Sequence, residues 1–402
     1  MRYCYFIYLT ICILLSSCQT KVSKESDSDY YTIEFEQCIE KEQQILLSEI
    51  ADSIEYLELK TPEDIIISNI TNIIPFIEDL IICGNDGGLK RGVYQFSRDG
   101  QFIRMIGGIG QSIGEYALAS DVQIDQKNKE IIIVDFGSIL FYDFDGNYLR
   151  SIKTSNFKTN IGISDSILWI NLFPTNQFKE KYFAVAINNN GSNDTVAVAT
   201  IPNPFYDTKI PDVPNYSSIP AATFYHKNGL LYFKPNHSYD TLWQISGTNK
   251  ELYAYINMGK YKLPIEYEHW YSTTEFEKSS HKYWAISKMA EDDRYFYFGT
   301  ETRNPKKLQK FNYILYDKKK KRGFAAKDKK DLKITDDIMG GPNVWPYWIT
   351  EKYYITTIDR DELVEQIESR NYSPTEPLKS QLSGIVKNDN QIVILCHRKD
   401  AL

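Results

Sequence analysis

Positive charge is not in excess in this chain. Lys and Arg number 46 against 53 Asp and Glu, a formal net charge of -7, so there is no basic footprint for a nucleic-acid backbone. Histidine is scarce, with five residues in 402. The cysteines form no C-x-x-C pair and have no zinc-ribbon spacing, which removes the usual structural zinc sites. No His-Glu-x-x-His helix and no P-loop occurs, so the metalloprotease and nucleotide-hydrolase signatures are absent. Helical periodicity rich in alanine is nearly absent too. What remains is aromatic: 30 Tyr and 20 Phe, which with Ile and Thr are strand-favouring types. The composition predicts an all-β chain, with enough residues for a sizeable core.

The amino terminus differs from the rest. Arg2 is the one charge before an apolar run, which ends at Leu15-Ser16-Ser17-Cys18. A charged start, a run too short to span comfortably and small residues before a cut describe a signal peptide. The Leu-Ser-Ser-Cys ending resembles the lipobox of bacterial lipoproteins. That resemblance implies cleavage after residue 17, lipidation of Cys18 and, with Gln19 next to it, sorting to the outer membrane. Residues 19–30 (QTKVSKESDSDY) are polar and read as a flexible tether. The division is a signal peptide over 1–17, a lipidated cysteine and tether over 18–40, and a folded body over 41–402. Of the remaining thiols, Cys83 and Cys396 lie in apolar strand-like runs and are expected to be buried and inert.

From residue 45 a theme repeats: a short β-type run, a turn with Asp, Asn or Gly, then another run. The Asp-Gly pairs at Asp99-Gly100 and Asp145-Gly146 are hairpin signals flanked by alternating apolar residues. Their surroundings match, VYQFSRDGQFIRMI against LFYDFDGNYLRSI, at a spacing of 46 residues. That is the period of propeller blades. Further strand groups bring the blades to six. The strands near Ile45 to Leu59 are expected to complete the last blade beside the C-terminal strand, because a closed ring leaves no sheet edges unpaired. Two segments depart from the pattern. Helices are expected within IDRDELVEQIESRNYSPTEPLKSQLSGI, and LPIEYEHWYSTTEFEKSSHKYW reads as a helical or irregular insertion. The run Lys318 to Arg322 reads as a solvated hairpin tip.

The stretch from Gly108 to Ile152 resembles an NHL-type blade: glycines at Gly108, Gly110 and Gly114, then Glu115-Tyr116, the strand residues Asp121 to Val134, Asp135, and the Asp145-Gly146 turn. The pattern departs at Ile113, where proline is usual. Asp336 to Pro346 and IVKNDNQIVILCHRK resemble the closing blade of six-bladed, NHL-like or TolB-like propeller lipoproteins of Bacteroidetes. The resemblance covers roughly residues 45 to 398. It implies an all-β six-bladed β-propeller with short helical insertions. Many members are encoded beside outer-membrane nutrient-uptake systems, which implies glycan or peptide handling.

Some propellers of this type hold a catalytic metal with histidines from several blades, but His226, His237, His269, His281 and His397 share no blade position, so no metal site is expected. Backbone carbonyls in the channel could hold a structural ion without leaving a mark in the sequence; no other cofactor is implied. The carboxylates lie mostly at turns (Asp99, Asp125, Asp145) or on helix faces (Glu362, Glu365, Glu368), where solvated roles suffice. Flat aromatic rings stack on sugars and anchor interfaces. Trp169 and Trp243 lie in strand patterns and read as core. Trp270 and Trp284 flank the insertion, and Trp345 and Trp348 follow the Gly340-Gly341-Pro342 turn. With His237 these four are the candidate ligand-binding residues. The expectation is a non-enzymatic, membrane-anchored lipoprotein binding a glycan, a peptide or a protein partner. The alternatives are a polysaccharide hydrolase or lyase with its site in the channel mouth, and a structural subunit of an envelope complex.

Overall fold

The computed structural model describes residues 30–399 except 89, 136, 155–157, 173–180, 190–196, 204–221, 236–238, 265–279, 303–309, 328–331, 370–371 and 385–389. Numbered along the chain, the first strands are β1 (Tyr31–Glu34), β2 (Glu42–Gln43) and β3 (Ala51–Glu58). Six sheets follow. Blade one holds β4 (Asn69–Phe76), β5 (Asp79–Asn85), β6 (Arg91–Ser97) and β7 (Phe102–Met105). Blade two holds β8 (Asp121–Asp125), β9 (Glu130–Val134), β10 (Ser138–Asp143) and β11 (Tyr148–Lys153). Blade three holds β12 (Lys158–Ser164), β13 (Ile167–Leu172), β14 (Tyr182–Asn188) and β15 (Ala199–Pro202). Blade four holds β16 (Thr223–Lys227), β17 (Leu230–Lys234), β18 (Thr241–Ser246) and β19 (Asn249–Asn257). Blade five holds β20 (Trp284–Glu291), β21 (Tyr295–Thr302), β22 (Phe311–Asp317) and β23 (Arg322–Ala326). Blade six holds β24 (Trp348–Ile349), β25 (Tyr353–Asp359) and β26 (Gln391–Arg398), with β3 as its fourth strand. The molecule is a six-bladed β-propeller.

The alternation read from the sequence explains the packing. Each strand sends residues to both faces of its blade, and each face meets the next blade. Ile81, Cys83 and Val93 of blade one thus pack on Val122, Ile131 and Ile133 of blade two. The two Asp-Gly hairpins form as expected. Gly100 and Gly146 adopt φ of 81° and 83°, which side chains with a Cβ avoid. The expected closure is also present: β3 pairs antiparallel with β26, Ile394 opposite Tyr56.

Residues 31–40, placed in the tether by sequence, belong to the body. β1 adds in parallel to the outer edge of blade four, Tyr31 opposite Ala254. The helix α1 (Phe35–Glu40) crosses to blade five, where β2 adds in parallel to β23. Ile33, Phe35 and Cys38 are buried there against Ile256, Phe298 and Ile314. Four charged or amide residues, Glu34, Glu36, Gln37 and Glu40, punctuate this segment and hide its apolar anchors in a composition scan. The N-terminal segment is therefore a belt stitched to the rims of blades four, five and six.

The two faces of the ring differ. In a meander the turns between first and second strands, and between third and fourth, share one face. Those turns are short, as at 77–78, 126–129, 228–229 and 318–321, with 189–198 the longest. The connections 106–120, 203–222, 258–283, 327–347 and 360–390 all start and end on the opposite face. The last of these carries the helices α2 (Arg360–Ser369) and α3 (Glu376–Gly384), where the sequence placed them. They dock through the fully buried Leu363 and Leu378. No helix among the described residues is long and apolar enough to cross a membrane.

Candidate functional site

The first strand of each blade lines the central channel, since adjacent first strands contact one another around the ring. Three of them are bulged. The register slips between Ile70 and Asn72 in β4, between Lys158 and Ile161 in β12, and between Ile286 and Lys288 in β20. A bulge turns an extra residue out of the ladder and re-aims its neighbours.

At this level β8 contributes Asp121, almost fully buried. Its Oδ1 accepts hydrogen bonds from Asn72 Nδ2 at 2.8 Å and from its neighbour Val122 N at 2.8 Å, and its Oδ2 accepts from Ile161 N at 3.1 Å. One carboxylate thus clamps blades one, two and three. Burial pushes its pKa up to about 6, against the downward pull of these donors. The proton that the folded state holds is shed by the unfolded chain above its ordinary value near 3.9. The stabilisation that Asp121 contributes is therefore full below about pH 4 and fades as pH rises through 6. Urea titrations at pH 4 and 7 are expected to show wild type losing up to about 3 kcal/mol relative to Asp121→Asn across this window. A pH-independent difference between the two proteins would refute it.

Lys288 sits on the opposite side of the ring, in blade five. Its side chain is accessible to solvent, yet burial among the surrounding blades lowers its pKa and the charge of Asp121 partly restores it. Blades two and five face each other in a six-bladed ring, and Lys288 stands exposed on the channel-lining strand of blade five. Its Nζ lies 5.7 Å from the centre of the Trp348 ring, within range of a cation–π contact.

The rings singled out by sequence separate. Trp284 and Trp348 open β20 and β24 at the face of the long connections, both partly exposed. Trp345 does not join them: it is 1% exposed, packed against Tyr297 and Tyr313 with ring centres at 5.6 and 5.0 Å, and has no free face for a ligand. Trp169 is core, as expected. Trp270, His237 and Cys18 lie outside the described residues.

Other groups have structural duties. His226 contacts the Ile163 carbonyl at 2.6 Å and His397 contacts Glu55 at 2.6 Å, on separate blades. Among the described residues no group of three or more His, Cys, Asp or Glu is placed to hold a metal ion. Cys38, Cys83 and Cys396 are free and buried, and burial raises the Cys38 and Cys83 thiols to about 12, so they stay unreactive. The glycine-rich loop also contains Gly110-x-Ser112-x-Gly114, the letters of a nucleophile elbow. An elbow needs a strand, a sharp turn and a helix, whereas here the next element is β8, and Ser112 N donates to Glu115 Oε2 at 2.9 Å in an exposed turn. Within that loop Tyr116 is the anchor, its hydroxyl donating to Ile106 O at 2.9 Å and accepting from Val93 N at 3.0 Å.

Lys318 corrects the reading of the lysine run as a solvated tip. It is 6% exposed and its Nζ lies 2.7 Å from Glu291 Oε1. Glu291 closes the short-turn end of β20 and also accepts from Tyr225 at 2.6 Å and Tyr253 at 2.5 Å, with Lys227 Nζ at 3.3 Å. Burial, then the Glu291 charge, drives the Tyr225 hydroxyl well above its usual pKa.

A solved structure shows the same fold. A Bacteroides fragilis protein described as a "putative exported protein" superposes with a TM-score of 0.64 at 15% identity, over 92% of this chain and 99% of that one. The WD40 domain of Neurospora crassa Pan2 gives 0.37 at 11% identity, over 64% of each chain. BamB of Moraxella catarrhalis gives 0.36 at 11%, over 68% of this chain and 66% of that one. No curated protein matches. The family described as Domain of unknown function (DUF4934) matches residues 30–397, and the chain belongs to it.

Proposed function

We propose that this protein is a non-enzymatic lipoprotein of the cell envelope that binds a ligand at the channel mouth, on the face carrying the long connections. The observation that carries this reading is the pairing of two features on one face: all the long connections, and the partly exposed rings of Trp284 and Trp348 beside the channel. Rigid rings over a scaffold, framed by variable loops, are how such surfaces bind. The lipobox-like Leu15 to Cys18 supports attachment to the outer membrane, and the resemblance to lipoproteins beside uptake systems supports a nutrient glycan or peptide as ligand. The inner-strand carboxylates Asp121, Asp125 and Glu291 each accept several hydrogen bonds from the protein itself, an arrangement suited to holding blades together.

A thermal-shift screen of the full chain against glycans and peptides tests this. A true ligand at about 100 times its Kd stabilises by about 2.7 kcal/mol, and Trp284→Ala with Trp348→Ala is expected to remove the shift. A ligand whose binding survives both substitutions would move the site elsewhere. If nothing shifts the melting point, a protein partner takes the place of the small ligand.

A further inference from the structure

Three lysines of blades four and five are satisfied within the protein, and Lys288 is not. Lys318 is paired with Glu291, Lys227 with Glu291 and Asp293, and Lys234 Nζ donates to the carbonyls of Pro235 and Tyr239 at 3.0 and 2.6 Å. Lys288 has no hydrogen-bond or ion-pair partner among the described residues; its ammonium lies over the Trp348 ring. The Asp121 carboxylate across the channel is occupied by its donors from three blades. Lys288 directly follows the bulge in β20, on the strand that lines the channel. The ammonium is open to solvent with no counter-ion of its own, so an anion entering from the mouth would meet a free positive charge.

We propose that the channel throat binds the carboxylate of an acidic sugar, with Lys288 as its counter-charge and Trp348 stacking on the sugar ring. The proposal rests on the mouth being the binding face and adds the class of ligand. The site offers one charge beside one aromatic face, and a pyranose ring bearing one carboxylate presents the matching pair. A peptide would need a strand edge or a row of backbone donors for its amides. The side-chain amide of Asn72, on the channel-lining strand β4, is already committed to Asp121 and to the Val122 carbonyl. An ion in this throat would be an anion, because a cation would meet the ammonium.

The test is calorimetric titration of the full chain with D-glucuronate and trigalacturonate. D-glucose, sodium sulfate and an N-acetyl dipeptide with a free carboxylate serve as comparisons. Both uronates are expected to bind and glucose is not. Lys288→Met is expected to weaken uronate binding by about 10-fold to 100-fold, the worth of a charge-assisted contact. Lys288→Arg should retain more of it. Without ligand, Lys288→Met should melt no lower than wild type, since it removes an unpaired charge; that control separates lost binding from lost folding. Equal binding of glucose, of sulfate or of the dipeptide would overturn the proposal, as would no uronate binding at all. A neutral glycan whose binding is lost in Trp348→Ala but unchanged in Lys288→Met would also overturn it, while leaving the mouth as the binding face.

Discussion

Replacing Glu291 by alanine is expected to lower unfolding stability by about 3–5 kcal/mol, the range for removing one partner of a buried ion pair. The side chain is fully buried, and Lys318, itself 4% exposed at its side chain, would be left with its charge inside the protein. Tyr225 and Tyr253 would lose their shared acceptor as well. Glu291→Gln keeps an acceptor and should lose less. Lys318→Met in the Gln background should recover part of the loss, because an apolar residue of similar size leaves no buried charge. Urea unfolding followed by aromatic fluorescence reads all three. If the alanine protein unfolds at the wild-type midpoint, the network does not hold blades four and five together.

Phe35→Ala is expected to lower stability by about 3–5 kcal/mol, as for other large apolar side chains deleted from a core. The residue is fully buried in the belt, with its ring 5.5 Å from Phe298 of blade five. Removing residues 31–43 altogether should do more, since it bares the outer edges of β19 and β23. Unpaired edges invite association between molecules, so light scattering on warming should rise earlier in the truncated protein. A truncated chain that stays monomeric and melts as the intact one does would show the belt to be a passive passenger.

Much of this architecture was legible in the residues. The Asp-Gly turns, the blade period and the closure of blade six by Ile45 to Leu59 depend on local alternation and on edge pairing, which a sequence displays directly. The belt was not legible, because two of its strands are parallel additions of four and two residues that share no alternation with their distant partners. Lys318 was misread because its partner Glu291 lies 27 residues away and on another strand. Trp345 and Trp348 are three residues apart and look equivalent in sequence, yet one is core and the other lies at the mouth. The throat was missed for a related reason. Lys288 is an ordinary lysine until a bulge and the diametric position of Asp121 are known.

The belt also sets an order of events. Tyr31 must find Ala254, and Glu42 must find Ala325, so the earliest folded residues to be synthesised have partners made some 200 or more residues later. Contacts of that range slow folding, because the loop must close before any contact rewards it. Blades one to three are complete meanders and need no part of the belt, so they can assemble while the first strands still wait. The rim of the ring is thus finished last, with its oldest segment.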